Sequence, residues 1–278
     1  MSIRFKVILP YLILTLVVAI TGAYVVTKLV TGSQIERLEN QLLEAGRVVT
    51  DGIARQEIDH VKNARLIAYT DGLAEALQKG DVITVRNLAQ PVAGGLGIEA
   101  LIFTDRQGTE LVHLMRVEGK TYIDKGGQSS TPYQSIIQAV LNENDPEGLP
   151  HRIIARRSVE DRYYYFTSMP IAYGNQMAGV IVIGTSLETL LPLLKSSSLA
   201  DVIFYSEEGH VIASTLVDQG DGTDSFSTFA ISEEIYHQIR DLDFVRGENL
   251  MVGERSYSLA RGPIQIGNDP LGAFAVVL

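Results

Sequence analysis

One stretch of this sequence is written twice, and that repetition limits the fold more than any other feature. Ile102-Phe103-Thr104-Asp105-Arg106-Gln107-Gly108 is echoed by Ile203-Phe204-Tyr205-Ser206-Glu207-Glu208-Gly209, 101 residues on. Each predicts a strand, a polar turn closed by glycine and a second strand, Glu110 to Met115 and His210 to Ser214. Glycine supplies the positive φ that such hairpin turns need. A second pair follows at an offset of 93: Pro170-Ile171-Ala172-Tyr173-Gly174-Asn175 then Gly179, and Pro263-Ile264-Gln265-Ile266-Gly267-Asn268 then Gly272. Tyr164 and Tyr257 share this offset. Gly-Asn between apolar runs signals a hairpin. Chance could supply one such pair, but not two in the same order at nearly equal offsets.

The middle of each copy predicts a helix, Pro132 to Leu141 and Ile231 to Arg240. Each copy therefore runs strand, strand, helix, strand, strand, strand. Strands joined by hairpins make largely antiparallel sheets, so the fold class is α+β. One face of such a sheet can pack on helices while the other holds a ligand. Leu187 to Leu194 predicts a short helix between the copies, with Ser186 as its N-cap.

Ahead of the repeats, no residue between Lys6 and Lys28 is charged. Val7 to Thr27 is rich in Leu, Ile and Val, and about 20 such residues span a bilayer as a helix. Arg4 and Lys6 precede it, so the positive-inside tendency makes residues 1–6 a cytoplasmic tail and residues 7–29 a transmembrane signal anchor in the cell (inner) membrane. Everything after about residue 29 is then extracytoplasmic. Pro10 sits near the helix start, where it is tolerated. A cleaved signal peptide is the rival reading, with Thr21-Gly22-Ala23 as a loose cleavage site, but its apolar region would be only about 7–15 residues. Both readings export the rest of the chain.

A stalk helix is predicted over residues 33–70. Ile35, Leu38, Leu42, Ala45 and Val49 recur in steps of three and four, the seam of a left-handed coiled coil. Gly52 interrupts this seam, and Ile53, Ile58, Val61 and Ile67 continue a broader apolar face. The expectation is a dimer contact near the membrane with the upper helix packed on a domain. The plainer alternative is one amphipathic helix lying on its own domain.

The formal net charge of −10, with no basic stripe, disfavours nucleic acid. The absence of cysteine excludes disulfides, zinc–thiolate sites, iron–sulfur clusters and cysteine nucleophiles. No nucleophile elbow, Walker loop, zinc-protease motif or dinucleotide fingerprint occurs. His60, His113, His151, His210 and His237 lack ligand spacing and are expected as surface or strand residues. Asp218-Gln219-Gly220-Asp221-Gly222-Thr223-Asp224 has glycine where an EF-hand needs its third and fifth ligands, so it is expected as a solvated loop. No enzyme activity, metal or cofactor is expected.

The order of transmembrane helix, long helix and two such units resembles the double Cache family of extracytoplasmic sensors, whose units are PAS-like. The resemblance covers about Ser33 to Leu278 and is most specific over Tyr163 to Leu194. It implies a membrane-distal unit over 71–187 and a membrane-proximal unit over 188–278. It also implies a dimeric receptor of the histidine kinase, chemoreceptor or nucleotide cyclase type, with a small-molecule ligand in the distal unit. The amino-acid-binding branch carries an Arg-x-Trp-Tyr-type motif. Here the corresponding stretch is Arg116-Val117-Glu118-Gly119-Lys120-Thr121-Tyr122 and the chain has no tryptophan, so that specificity does not carry over.

For the pocket, the sequence nominates Arg116, Tyr122, Tyr133, Tyr163, Tyr165 and Thr167. Tyrosines offer an apolar wall with a hydroxyl, and an arginine can clamp a carboxylate. Tyr163 and Tyr165 share one face of their strand by alternation. Ordinary strand packing is the bland alternative for each, since aromatics favour strands. Arg156 and Arg157 are left out, as adjacent arginines on a strand are usually solvated. The expected ligand is a small polar organic molecule. A protein-interaction or dimerisation module without a small ligand is the alternative function. The output domain is expected to follow Leu278 in a longer receptor.

Overall fold

The computed structural model describes residues 3–117, 122–124, 132–157, 161–216, 229–241, 244–247, 249–252, 255–266 and 269–278. It forms two compact units, residues 1–44 and 45–278. Helix α1 (Ile3–Ala68) supplies the backbone of the first and continues into the second. In the first unit Ile13, Leu14, Val17, Val18, Ile20 and Val25 are all exposed. Among the described residues no helix is long and apolar enough to cross a membrane.

The 45–278 unit contains two antiparallel sheets. The first comprises β1 (Ala100–Thr104), β2 (Glu110–Arg116), β3 (Tyr122–Asp124), β4 (His151–Arg157), β5 (Arg162–Tyr173) and β6 (Gln176–Ser186), in the order β3-β2-β1-β6-β5-β4. The second comprises β7 (Asp201–Tyr205), β8 (Val211–Ser214), β9 (Val245–Arg246), β12 (Leu259–Ile266) and β13 (Asp269–Val277), in the order β8-β7-β13-β12-β9. Strands β10 (Leu250–Val252) and β11 (Arg255–Tyr257) form a separate hairpin. Leaving aside β3, the strand orders are the same.

The duplication reaches individual pairs. Ile102 pairs with Val182 in the first sheet and Ile203 with Ala275 in the second, the same pair after adding 101 and 93. Bulges fall at Phe103/Thr104 and Phe204/Tyr205, and again at Ile171/Ala172 and Ile264/Gln265. A Cβ on Gly179 would come 2.1 Å from the Thr104 carbonyl, and one on Gly272 would come 2.7 Å from the Tyr205 carbonyl. Glycine is therefore required at both places by close backbone approach. Gly108 and Gly209 close their hairpins at φ of 81° and 80°.

Each face of the first sheet is covered. Leu101, Phe103, Leu114, Met169, Ile171 and Ile181 pack with Ala64 and Ile67 of α1, α2 (Leu73–Gln78) and α3 (Val82–Leu96). On the reverse, Ile102, Met115, Tyr164, Phe166, Val180 and Val182 pack with Tyr133, Ile136, Ile137 and Val140 of α4 (Gln134–Glu143) and the turn before it. The second sheet buries Ile203, Tyr205, Leu259, Ala273 and Ala275 against Tyr236 and Ile239 of α6 (Glu233–Asp241). Between the sheets runs α5 (Leu187–Ser198), capped by Ser186, whose Oγ accepts from the Thr189 amide at 3.3 Å.

The break in the stalk pattern has a packing reason: a Cβ on Gly52 would stand 2.4 Å from Leu194 Cδ2 of α5. Leu42, Ala45 and Val49 are buried within the single chain and Leu38 is half-buried, while the Ile35 side chain lies outside the described residues. The Asp218–Asp224 loop and the Gly267-Asn268 turn also lie outside them.

Candidate ligand-binding site

Beneath α4 the first sheet carries polar groups that its apolar surroundings do not satisfy. β1 and β2 pair Ile102 with His113 and Thr104 with Glu110, which brings His113, Glu110 and Thr104 to the α4 face. The Tyr133 hydroxyl, at the start of α4, donates to Glu110 Oε2 at 2.9 Å. Glu110 Oε1 lies 3.0 Å from His113 Nδ1. Burial raises the Tyr133 pKa above the usual tyrosine range and the Glu110 charge reinforces this, so the hydroxyl remains a donor. With Nδ1–H donating to Glu110, a neutral His113 presents a lone pair at Nε2. That Nε2 is buried and has no hydrogen-bond partner, and neither has the buried Thr104 Oγ1.

Aromatic rings frame these groups. Tyr133 and Tyr164 lie 5.0 and 5.5 Å from Phe166. The Arg157 guanidinium sits 5.9 Å from the Tyr164 ring centre. Ser168 donates to the Ile136 carbonyl at 3.0 Å and ties β5 to α4. Buried polar atoms are ordinarily paired, so two open ones beside a carboxylate can grip a small polar molecule.

The structure divides the six nominated residues. Tyr133 belongs to this cluster. Tyr165 and Thr167 share a face, and that face is turned to α1. Thr167 Oγ1 lies 2.9 Å from His60 Nδ1, Thr185 Oγ1 lies 2.8 Å from His60 Nε2, and the Tyr165 ring is 5.5 Å from the imidazole. Gln56 donates to Thr185 Oγ1 at 3.0 Å, and Glu57 pairs with Arg152. Burial pushes the His60 pKa down to about 3, so the ring is neutral near pH 7. Tyr122 donates to the Ile98 carbonyl at 2.6 Å on the α3 side, and Arg116 donates to the Gly97 carbonyl at 3.0 Å. Tyr163 lies half-buried in a cleft of about 500 Å³ shared with Leu187, Leu191 and Ile212.

Two expectations are corrected. Arg157 is 4% exposed, not solvated, because its register with Arg162 turns it towards Tyr164 while Arg156 points out. His60 is neither a surface nor a strand residue but is buried on α1 between Thr167 and Thr185, whereas His113 lies in a strand as expected, buried beside Glu110. Glu110, His113, Arg157 and Thr104 are the residues that sequence reasoning missed. The available signal was a histidine in mid-strand among Leu111, Val112, Leu114 and Met115, since a polar residue in a buried run is the informative exception.

Two duplicated α+β units, a helix across one face of the first and unsatisfied polar groups under α4 define a double sensor domain. The chain belongs to the family described as the double sensory domain of two-component sensor kinase, which it matches over residues 35–278. Its fold is similar to the domain of a sensory box/GGDEF family protein from Vibrio parahaemolyticus, at 18% identity, 87% of this chain, 94% of that chain and a TM-score of 0.59. The sensor domain of the V. cholerae histidine kinase DctB is similar at 15% identity, 88% and 98% coverage and a TM-score of 0.57. A ligand-binding domain of a Campylobacter jejuni chemoreceptor, in complex with L-valine, is similar at 11% identity, 89% and 93% coverage and a TM-score of 0.58. The chain spans about half (52%) of the length of a curated relative, small archaeal modifier protein 3 of Haloferax volcanii. That match is 41% identical over 51 residues, only 18% of this chain.

Proposed function

We propose that this chain is the extracytoplasmic, small-molecule-sensing region of a transmembrane signalling receptor. The ligand site is the α4 face of the first sheet, within a membrane-distal unit of residues 71–187; residues 188–278 form the proximal unit. The observation that carries this reading is the pair of buried, unpartnered atoms, His113 Nε2 and Thr104 Oγ1, beside Glu110 and Tyr133. A donor such as a hydroxyl, amide or ammonium on the ligand would satisfy His113. The ligand is therefore a small polar organic molecule. Membership in a sensory family and likeness in fold to chemoreceptor and kinase sensor domains support the role.

Residues 7–29 are the anchor in this proposal. Apolar side chains exposed on every side of α1 between Ile13 and Val26 suit lipid better than water. A homodimer is also part of it. Ala45 and Val49 are already buried, so the pairing surface shifts to the outer face of α1, where Ile58 and Leu66 are exposed, as is Tyr69 just past the helix.

The test is a thermal-shift screen of the full chain in detergent against small metabolites, followed by titration calorimetry of any hit. His113→Ala and Thr104→Val should each weaken binding at least about tenfold, the scale of one lost buried polar contact. His60→Gln, on the opposite face, should leave affinity nearly unchanged. A ligand that binds both site variants as tightly as the parent chain would rule out the α4 face.

A further inference from the structure

The two repeat offsets map one sheet onto the other, and the mapping draws attention to Arg261. Arg261 on β12 is in register with Ala275, which is in register with Ile203. Ala275 and Ile203 belong to the core under α6, so Arg261 lies on the α6 face, the counterpart of the α4 face. By the offset of 93 it takes the place of Ser168, and by the offset of 101 Tyr205 takes the place of Thr104. The strand between them, β13, presents Ala273 and Ala275 where the first sheet has Val180 and Val182. Smaller floor residues leave room for the two longer side chains to face each other. Burial pushes the Tyr205 pKa up, and the adjacent Arg261 charge pulls it back.

Arg261 lacks what usually accompanies a cation in such a place. Its Nε is buried with no hydrogen-bond partner, and among the described residues no carboxylate pairs with it. Its Nη1 packs close on the Gly247 backbone, where a Cβ would stand only 2.9 Å away. The half-buried guanidinium has the Tyr205 hydroxyl beside it, and its buried Nε still wants an acceptor, which a carboxylate would supply.

We propose that the α6 face of the second sheet is a separate binding site for a small organic monocarboxylate, held by the Arg261 fork with the Tyr205 hydroxyl as a further donor. The guanidinium fork matches a carboxylate with two parallel bonds. One cation balances one negative charge, so a dianion would leave charge uncompensated. Ile203, Tyr236 and Ile239 offer an apolar wall to a short hydrocarbon tail. This site does not depend on the one under α4.

The experiment uses the full chain in detergent, in a buffer whose only anion is a bulky sulfonate. Butyrate, butyramide and chloride are titrated while thermal melting is followed. Butyrate should raise the melting temperature and uncharged butyramide should not. Arg261→Gln should abolish the butyrate response. Arg261→Lys and Tyr205→Phe should fold and bind butyrate at least about fivefold more weakly, since the fork or a donor is lost. His113→Ala should keep the full response, which separates this site from the other. The proposal fails if butyrate leaves the parent unmoved, if the response survives in Arg261→Gln and Arg261→Lys, or if chloride and butyramide act as well as butyrate.

Discussion

The two sheets keep one backbone and differ in what they place on it. Strand order, bulge positions and the glycines that meet a neighbouring carbonyl all recur. Side chains under the covering helix diverge: Thr104, Ser168, Val180 and Val182 in the first sheet become Tyr205, Arg261, Ala273 and Ala275 in the second. The first presents a carboxylate, a histidine and a cation in contact with aromatic rings. The second presents one arginine over alanines. Backbone register holds a fold together through many cooperating bonds, whereas a site is a handful of side chains that can change without disturbing the ladder.

The largest test of this comparison is paired core truncation. Phe166, fully buried between Tyr133 and Tyr164, and Leu259 are counterparts at the offset of 93. Phe166→Ala should cost about 3–5 kcal/mol and Leu259→Ala about 2–5 kcal/mol in calorimetric unfolding. If both lower a single shared transition, the sheets unfold as one unit; two separately moved transitions would make them independent.

Acid should break the first sheet's contact with α1 before the second's. His60 has a folded pKa of about 3, below its ordinary value. Between that value and about 6.5 the unfolded chain binds more protons, so this contribution is full above pH 6.5 and is lost as pH falls towards 3. Roughly 2 kcal/mol should be gone by pH 5, and His60→Gln should lack that slope in urea melts. The second sheet meets the same helix differently: a Cβ on Gly46 would collide with the Phe244 ring, which packs edge-on against Phe274. That contact has nothing to titrate.

Thr104→Val should stabilise the unliganded chain by about 1–2 kcal/mol, by removing a buried hydroxyl with no partner, while weakening ligand binding. A loss of stability would mean that the hydroxyl is already satisfied. The smallest effect is expected at the junction of the copies. Ser186→Ala removes the cap of α5 and should cost about 1 kcal/mol, read as a shifted urea midpoint.

Strand β5 shows how far the residues alone could lead. Alternation grouped Tyr163 with Tyr165, yet both faces of β5 are buried from Tyr164 to Ile171. A strand covered on both sides has no polar face to mark its orientation. The tyrosines that looked like pocket walls therefore include Tyr165, which meets His60, while Phe166 and Tyr164 turn to the site. Arg157 was passed over for a related reason: neighbouring arginines read alike in sequence, but register sends one inward and one out.

Local chemistry and repetition were enough to determine the α+β class, the duplicated strand order, the glycine-closed hairpins and the capped helix between the copies, because each depends on residues near in sequence or on a spacing that recurs. Which sheet face meets α1, which polar groups are left open beneath α4 and α6, and where a buried charge stands were decided only when distant segments packed together. Period-two patterning assigns residues to a shared side, but only the covering helix distinguishes one side from the other.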